Sequence, residues 1–145
     1  MHIKFIIIII LLFAQLSTAL AFKQEQLKYP RVRQAYEEKG KIVNILLDEQ
    51  EIRNNSLRLY LRAFKQEKKI EIWAKNSYDE EFVFIKDYDI CATSGVLGPK
   101  RRQGDGQIPE GFYHINKFNP ASNFYLSLGI NYPNASDKIL GEVNG

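Results

Sequence analysis

The sequence predicts a mainly β fold with an N-terminal helical lead-in. Apolar residues recur at helical spacing before residue 54, and they alternate with polar or aromatic residues from residue 57 onward. A turn-rich cluster, Asn54-Asn55-Ser56, lies between the two regions. We therefore expect a helical segment over residues 22–55 and a set of strands over residues 56–145.

The first 21 residues are typical of a secretory signal peptide. Lys4 supplies a positive charge, an apolar run follows from Phe5 to Phe13, and Ala19-Leu20-Ala21 places small residues at the cleavage spacing. A membrane-spanning helix needs roughly 20 apolar residues, whereas polar residues begin here at Gln15. We expect cleavage before Phe22 or two residues earlier, export to the periplasm or cell envelope, and no stable membrane span afterwards.

Two short helices are expected in the lead-in. Val32, Ala35 and Tyr36 have helical spacing and follow Pro30, which suits a first helical turn. Gly40 is expected to interrupt this helix. A second amphipathic helix of about three turns is expected after it, because apolar residues again recur at helical spacing: Ile42, Val43, Leu46 and Leu47.

A meander of four antiparallel strands is expected next. Apolar residues alternate over residues 57–64, residues 65–68 form a connection of hairpin length, and the alternation resumes over residues 70–75. Asp79-Glu80-Glu81 is the expected turn before the third strand. Residues 82–85 and 88–92 are expected to form the third and fourth strands.

Residues 94–111 are predicted to form a long loop. This stretch contains five glycines, two prolines and the basic triplet Lys100-Arg101-Arg102, with few residues to bury. Loops longer than about 12 to 15 residues are usually functional or disordered. We expect a functional loop, because strands are expected on both sides of it.

Two further strands are expected after this loop, over residues 112–117 and 124–130. Asn119-Pro120 is the expected turn between them, and residues 131–134 are expected to turn the chain again. Residues 143–145 are expected to be loop.

Composition excludes several classes of function. The net charge is only +3, and acidic and basic residues are interspersed, so no nucleic-acid partner is expected. The chain has one cysteine and two histidines, one of which lies in the predicted signal peptide. These are too few ligands for a zinc or iron site, so we expect no metal and no cofactor. An intramolecular disulfide is impossible.

Cys91 and His114 are the two residues whose chemistry needs testing first. Cys91 lies in the expected apolar strand with no histidine nearby in the sequence to activate its thiol, which favours a structural cysteine. His114 lies in an expected strand, and both a solvent-facing side chain and a substrate contact remain open.

The loop itself allows two interpretations. Lys100-Arg101-Arg102 next to Gly104-Asp105-Gly106 is compatible with an anion-binding loop, because glycine-rich backbone can turn several amides toward one ligand. A solvated turn fits equally well. The spacing of a phosphate-binding P-loop is missing.

Several segments, in fixed order, resemble a known family. They are Leu61–Lys65, Lys69–Trp73, Cys91–Lys100, Gly104–Gln107, Pro109–Tyr113, Asn119–Ser122, Leu126–Leu128 and Asn131–Asp137. With them the stretch from Ser56 to Gly145 resembles the L,D-transpeptidase (YkuD-type) catalytic domain, in its YafK-like murein branch. Cys91 matches a cysteine that this branch carries before the loop.

The resemblance implies an L,D-transpeptidase-type antiparallel β-sandwich or barrel that is incomplete here. In such enzymes a cysteine thiolate attacks a peptidoglycan stem peptide and passes the acyl group to an amine or to water. The family's nucleophile lies in a His-Gly segment followed by Ser/Thr-x-Gly-Cys, and this sequence contains no such motif. We expect the motif downstream of Gly145, so that this chain alone is inactive and poorly soluble.

No catalytic residue is therefore assigned within the chain. The residues expected to line the substrate cleft are Lys100, Gly104, Asp105, Pro109, Gly111, Tyr113 and His114. The expected partners are peptidoglycan stem peptides. The alternative is a non-catalytic exported protein that binds peptidoglycan, or a degenerate envelope protein.

Overall fold

A computed structural model describes residues 20–141, which divide into two compact units. One contains residues 20–40 and 117–129, and the other contains residues 41–116 and 130–141. Most of the predicted signal peptide, residues 1–19, and the predicted terminal loop, residues 143–145, lie outside the described residues.

The lead-in contains one long helix, α1 (Pro30–Asp48), where two short helices were expected. Pro30 is its first residue, as predicted, because a proline there sacrifices no helical hydrogen bond. The predicted interruption at Gly40 is wrong. Glycine costs only about 1 kcal/mol relative to alanine inside a helix, which is too little to end one that has good helix formers on both sides. Residues 20–26 are also helical.

Three strands form the first sheet in the order β1 (Leu57–Phe64), β2 (Lys69–Asn76) and β3 (Val83–Asp89). Both pairings are antiparallel, as predicted. A short 3₁₀ turn, Asn54–Ser56, leads into β1. The register is regular between β1 and β2, and it shifts once between β2 and β3, at Ile72 and Trp73.

The predicted fourth strand of this sheet is wrong, because β3 is continuous. Lys86 and Asp87, which lie between the predicted third and fourth strands, pair in register with Ile72 and Glu71. The carboxylate of Asp87 is neutralised by Lys69 at 2.6 Å, so the edge strand tolerates it.

The strand predicted around Cys91 is also absent. The last ladder contact is Ile90 N donating to Lys68 O at 2.7 Å, after which the chain leaves the sheet. Cys91 lies at a bend after this point and is exposed. The prediction that Cys91 lies in a strand is therefore wrong.

One face of this sheet covers a small apolar core. Leu47, Ile52 and Ala74 are buried together, and Leu57 and Ile85 pack against them. The alternating apolar residues of β1 are only partly covered, since Leu59 and Ala63 are exposed. Many other large apolar side chains in the described part of the chain are exposed as well.

A second sheet contains β4 (Ile115–Ser122) and β5 (Tyr125–Ile130). The turn predicted at Asn119-Pro120 is wrong, because β4 runs through both residues. A proline is tolerated in a two-stranded sheet, where each strand is an edge. The chain turns at residues 123–124 instead, where the buried Ser122 Oγ accepts from Phe124 N at 3.0 Å.

β4 also begins three residues later than predicted. The polar groups of residues 112–114 are bound elsewhere: Phe112 O accepts from Asn134 Nδ2 at 3.1 Å, and His114 N donates to Asn131 Oδ1 at 2.7 Å. These hydrogen bonds to side chains take the place of the backbone hydrogen bonds that a strand would make at residues 112–114.

In the unit that contains residues 20–40 and 117–129, α1 is tied to the hairpin by Arg31. Its guanidinium donates to Ser122 O at 2.7 Å and to Tyr125 O at 3.2 Å, and it lies over the Tyr125 ring. Val32 is the buried apolar residue of this unit.

A short helix, α2 (Ala135–Leu140), follows the predicted turn at residues 131–134 and was not expected. Within residues 20–141 no helix is both long and apolar enough to span a membrane. The fold is mainly β with an N-terminal helical lead-in, and this prediction of the fold class is confirmed.

Candidate functional site

The predicted loop has no helix or strand of its own, and it is held at its base by Lys65. The Lys65 ammonium donates to Gly98 O at 2.6 Å, to Ile108 O at 3.3 Å and to Glu110 Oε1 at 2.9 Å. Glu110 Oε1 also accepts from Gly98 N at 3.1 Å. The hydrogen bond from Lys65 lowers the pKa of Glu110. Both limbs of the loop are thus fastened to one lysine whose side chain is only 14% exposed.

Asp105 organises the tip of the loop. Its Oδ1 accepts from Lys100 Nζ at 2.6 Å and from Gln107 N at 3.0 Å, and its Oδ2 accepts from Arg101 N at 2.8 Å and Arg102 N at 3.0 Å. The hydrogen bond from Lys100, and then those from the backbone amides, hold the pKa of Asp105 well below its usual range. The carboxylate is therefore a structural anion and is not available as a general base.

This arrangement decides between the two interpretations of the loop. An anion-binding loop would point its amides at an external ligand. Here the amides of Arg101, Arg102 and Gln107 point at the loop's own carboxylate. The tip is a self-satisfied turn, and Gly104 provides the left-handed backbone (φ +78°) that such a turn requires.

A side-chain bridge also closes the loop near its beginning. Gln107 Oε1 accepts from Val96 N at 2.6 Å. Gly95 has φ +72°, and a Cβ there would lie 1.8 Å from Gln107 Oε1 and 2.8 Å from Gly106 O. Only glycine fits this position without moving the bridge.

Tyr113 anchors the end of the loop to α2. Its hydroxyl donates to Asp137 Oδ1 at 2.9 Å, and its ring meets Tyr132 edge-on at 6.2 Å between centroids. Burial, and then the adjacent carboxylate of Asp137, raise the pKa of Tyr113 to about 12. A Cβ on Gly111 would lie 3.0 Å from the Tyr113 hydroxyl, so the small residue makes room for the phenol.

Helix α2 contacts both the tip and the end of the loop. A reciprocal capping box starts the helix, in which Asn134 Oδ1 accepts from Asp137 N and Asp137 Oδ2 accepts from Asn134 N. At the other end Gly141 approaches the tip so closely that a Cβ would lie 3.2 Å from Arg101 O.

Comparison with known proteins identified relatives of this chain among curated proteins. Two curated proteins are similar to this chain. Both carry the name "Putative L,D-transpeptidase YafK", one from Escherichia coli strain K12 and the other from Escherichia coli O157:H7. Each is 40% identical over 85 residues, a match that covers 57% of this chain and 34% of the relative. The chain thus spans about a third of the length of the curated relatives it matches.

This similarity supports the L,D-transpeptidase resemblance drawn from the motifs. No family model and no solved structure matches the chain.

The predicted cleft residues fall into two groups, one at the tip of the loop and one at its anchored end. Lys100, Gly104 and Asp105 form the tip, while Gly111 and Tyr113 form the anchored end. Pro109 is half-buried and precedes Glu110, which binds Lys65.

His114 is fixed through its backbone, which exchanges two hydrogen bonds with Asn131, and the residue itself is exposed. Within residues 20–141, no hydrogen bond joins Cys91 to His114.

Several residues that build the site were not predicted from the sequence. Lys65, Gln107, Glu110, Asn134 and Asp137 all hold the loop or its anchor. The spacing of Asn134 and Asp137 is that of a helix N-cap and its third residue, so this pair could have been found. Lys65 lies in a charged connection, and nothing local distinguishes it from its neighbours.

Proposed function

We propose that this chain forms the amino-terminal, substrate-binding part of a peptidoglycan L,D-transpeptidase. The 40% identity over 85 residues to proteins of that name carries the proposal. In it, residues 1–21 are a signal peptide that directs export to the periplasm or envelope. Residues 22–55 are the lead-in, and residues 56–145 are part of the YkuD-type catalytic domain.

The proposed reaction is acyl transfer through a thioester. A cysteine thiolate attacks a carbonyl carbon of the donor stem peptide, the C–N bond breaks, and the amine leaves with a proton. An acceptor amine or water then attacks the thioester and releases the thiolate. We assign the nucleophile to a His-Gly and Ser/Thr-x-Gly-Cys motif encoded after Gly145. Cys91 and His114 have other roles, and residues 1–145 alone are inactive.

The loop's part in this reaction is to bind the stem peptide. Most of the backbone polar groups of the loop that are described above already bind side chains of the loop itself. The loop therefore contacts a ligand through its outward-facing side chains. Val96, Leu97 and Phe112 are strongly exposed, and His114, two residues after Phe112, is exposed as well. Exposed apolar side chains next to a polar group suit a peptide with small apolar residues and free amides. Lys100, Asp105 and Tyr113 keep this surface in shape.

The coding sequence after codon 145 tests the catalytic half of the proposal. We expect it to encode the His-Gly and Ser/Thr-x-Gly-Cys motif. Replacing that downstream cysteine with alanine is expected to abolish cross-link exchange in isolated sacculi. Activity that survived this replacement would refute the thioester mechanism.

A binding experiment tests the role of the loop. Phe112 and Phe124 are equally exposed, at 86% and 88%, but only Phe112 lies at the end of the loop. Phe112→Ala is expected to weaken binding of a disaccharide-tetrapeptide at least fivefold, since one large apolar contact is worth about 1 kcal/mol or more. Phe124→Ala is the matched control and should leave binding unchanged. Equal losses of affinity in both variants would show that the loop is not part of the binding site.

The alternative is a non-catalytic exported protein that binds peptidoglycan through the same loop. One observation favours it: the only cysteine, Cys91, is exposed and has no hydrogen bond to the only histidine of the described residues. A stop codon directly after codon 145 would support this alternative over the enzyme.

A further inference from the structure

Helix α2 is too short to be stable by itself. It has six residues, whereas an isolated helix shorter than about 12 residues is marginal in water. Packing supplies little of the missing stability, because none of its residues is buried, and Ile139 and Leu140 are 81% and 58% exposed. Polar contacts at its two ends must therefore stabilise this helix.

The two residues of the capping box also bind the end of the loop. Asn134 Oδ1 accepts from Asp137 N at 3.0 Å, while Asn134 Nδ2 donates to Phe112 O at 3.1 Å. The carboxylate of Asp137 is divided in the same way: Oδ2 accepts from Asn134 N at 2.8 Å, and Oδ1 accepts from the Tyr113 hydroxyl at 2.9 Å. The same two side chains thus begin the helix and fasten residues 112–113.

The other end of α2 contacts the tip of the loop. Arg101 Nη1 donates to Leu140 O at 3.4 Å, one of the carbonyls that a helix leaves unpaired at its end. A Cβ on Gly141 would lie 3.2 Å from Arg101 O. Arg101 belongs to the tip, since its N donates to Asp105 Oδ2 at 2.8 Å. The loop therefore contacts α2 at both of its ends.

We infer that α2 and the loop open and close as one cooperative unit. When α2 unwinds, Asn134 and Asp137 lose the capping-box geometry that holds their second polar atoms against the loop. When the loop leaves, α2 loses the hydrogen bonds from Tyr113 and Arg101, and six residues do not stay helical without them. Each element stabilises the other, and this coupling is equal in both directions.

The coupling gives ligand binding at the loop an effect on the chain that follows α2. A ligand that binds only the closed loop also stabilises α2, because the two elements are formed in the same state. That this ligand is a stem peptide, and that the chain after α2 leads to the catalytic motif, rests on the proposed function. The coupling itself does not depend on it.

Amide hydrogen exchange of the full chain tests the inference without a ligand. Ile139 is the position to change, because its exposed side chain takes no part in the contacts that join α2 to the loop. Glycine there weakens the helix and alanine strengthens it. The amides of Arg101 and His114 are expected to exchange about fivefold faster in Ile139→Gly than in Ile139→Ala.

The converse change is Lys65→Met, which frees the base of the loop. The amides of Lys138 and Gly141, which are hydrogen-bonded within α2, are expected to exchange faster by the same factor as the amide of Gly98. Lys68→Met is the matched control and should leave these amides unchanged.

Three results would overturn the inference. They are equal loop exchange in the two variants at residue 139, unchanged α2 exchange in Lys65→Met, and an acceleration in the pairing of β1 with β2 as large as that in the loop, which would indicate a global loss of stability. Because no ligand is used, failure of the Phe112 experiment leaves the coupling standing. An uncoupled α2 would likewise leave the Phe112 experiment unaffected.

Discussion

Replacing Lys65 with methionine removes the ammonium that fastens both limbs of the loop. Methionine keeps a similar length and apolar volume, so the hydrogen bonds to Gly98 O and Ile108 O are the main loss. Glu110 also loses its partner, but it is well exposed and a surface ion pair contributes little. The change therefore isolates the two carbonyl contacts of one largely buried cation.

The magnitude follows from the geometry of these contacts. A hydrogen bond to a charged group contributes about 1.5 to 3 kcal/mol. The contact at 2.6 Å falls in this range, while the contact at 3.3 Å is weaker. Water can reach the freed carbonyls in part, so we expect a loss of about 2 to 3 kcal/mol in the free energy that closes the loop. This corresponds to an opening equilibrium shifted roughly 30-fold to 150-fold.

Amide hydrogen exchange of residues 94–114 measures this shift directly. The amides of Val96 and Gly98, which donate to Gln107 and Glu110, are expected to exchange faster by that factor. Amides in the pairing of β1 with β2 should change little. Lys68→Met is the control, because Lys68 is exposed in the same connection. Loop exchange that did not change in Lys65→Met, or that changed equally in Lys68→Met, would refute the reasoning.

Gly95→Ala is expected to lower the urea midpoint more than Gly104→Ala. Both residues have positive φ, which costs about 1 kcal/mol for alanine, but only Gly95 adds a clash. The lowered pKa of Asp105 means that its contribution to stability is present above about pH 4, the unfolded pKa, and is lost as pH falls. The NMR chemical shift of the Arg101 amide should follow this loss as the pH falls, and Asp105→Asn should remove the pH dependence. Tyr113 has a raised pKa, so its contribution is complete below about pH 10 and is lost as pH rises through about 12. Phenolate absorbance should show that late step in the native chain and not in Tyr113→Phe.

Local sequence patterns were sufficient to predict the strands in which apolar residues clearly alternate with other residues. The hairpin of β1 and β2 was predicted because both strands alternate and a short charged connection separates them. The errors arose where a single residue type was taken as a stop signal. Gly40, the pair Lys86 and Asp87, and Pro120 all lie inside regular elements, because continuing the hydrogen bonds on both sides outweighs a local cost of about 1 kcal/mol.

The position of the candidate site could be predicted from the sequence, but the contacts that hold it together could not. Glycine content and the lack of apolar residues correctly indicated the loop at residues 94–111. The groups that hold it are distant in sequence: 33 residues separate Lys65 from Gly98, 45 separate it from Glu110, and 24 separate Tyr113 from Asp137. Periodicity and propensity act over a few residues, so they carry no information on such pairs.

The carboxylate of Asp105 has a consequence for how this loop can diversify. The turn at the loop tip is complete before any ligand arrives, because three backbone amides and Lys100 are already bound to that one side chain. The exposed side chains of Val96 and Phe112 take no part in these hydrogen bonds. Related proteins could therefore exchange these outward residues, and with them the preferred ligand, while the backbone of the loop stays the same.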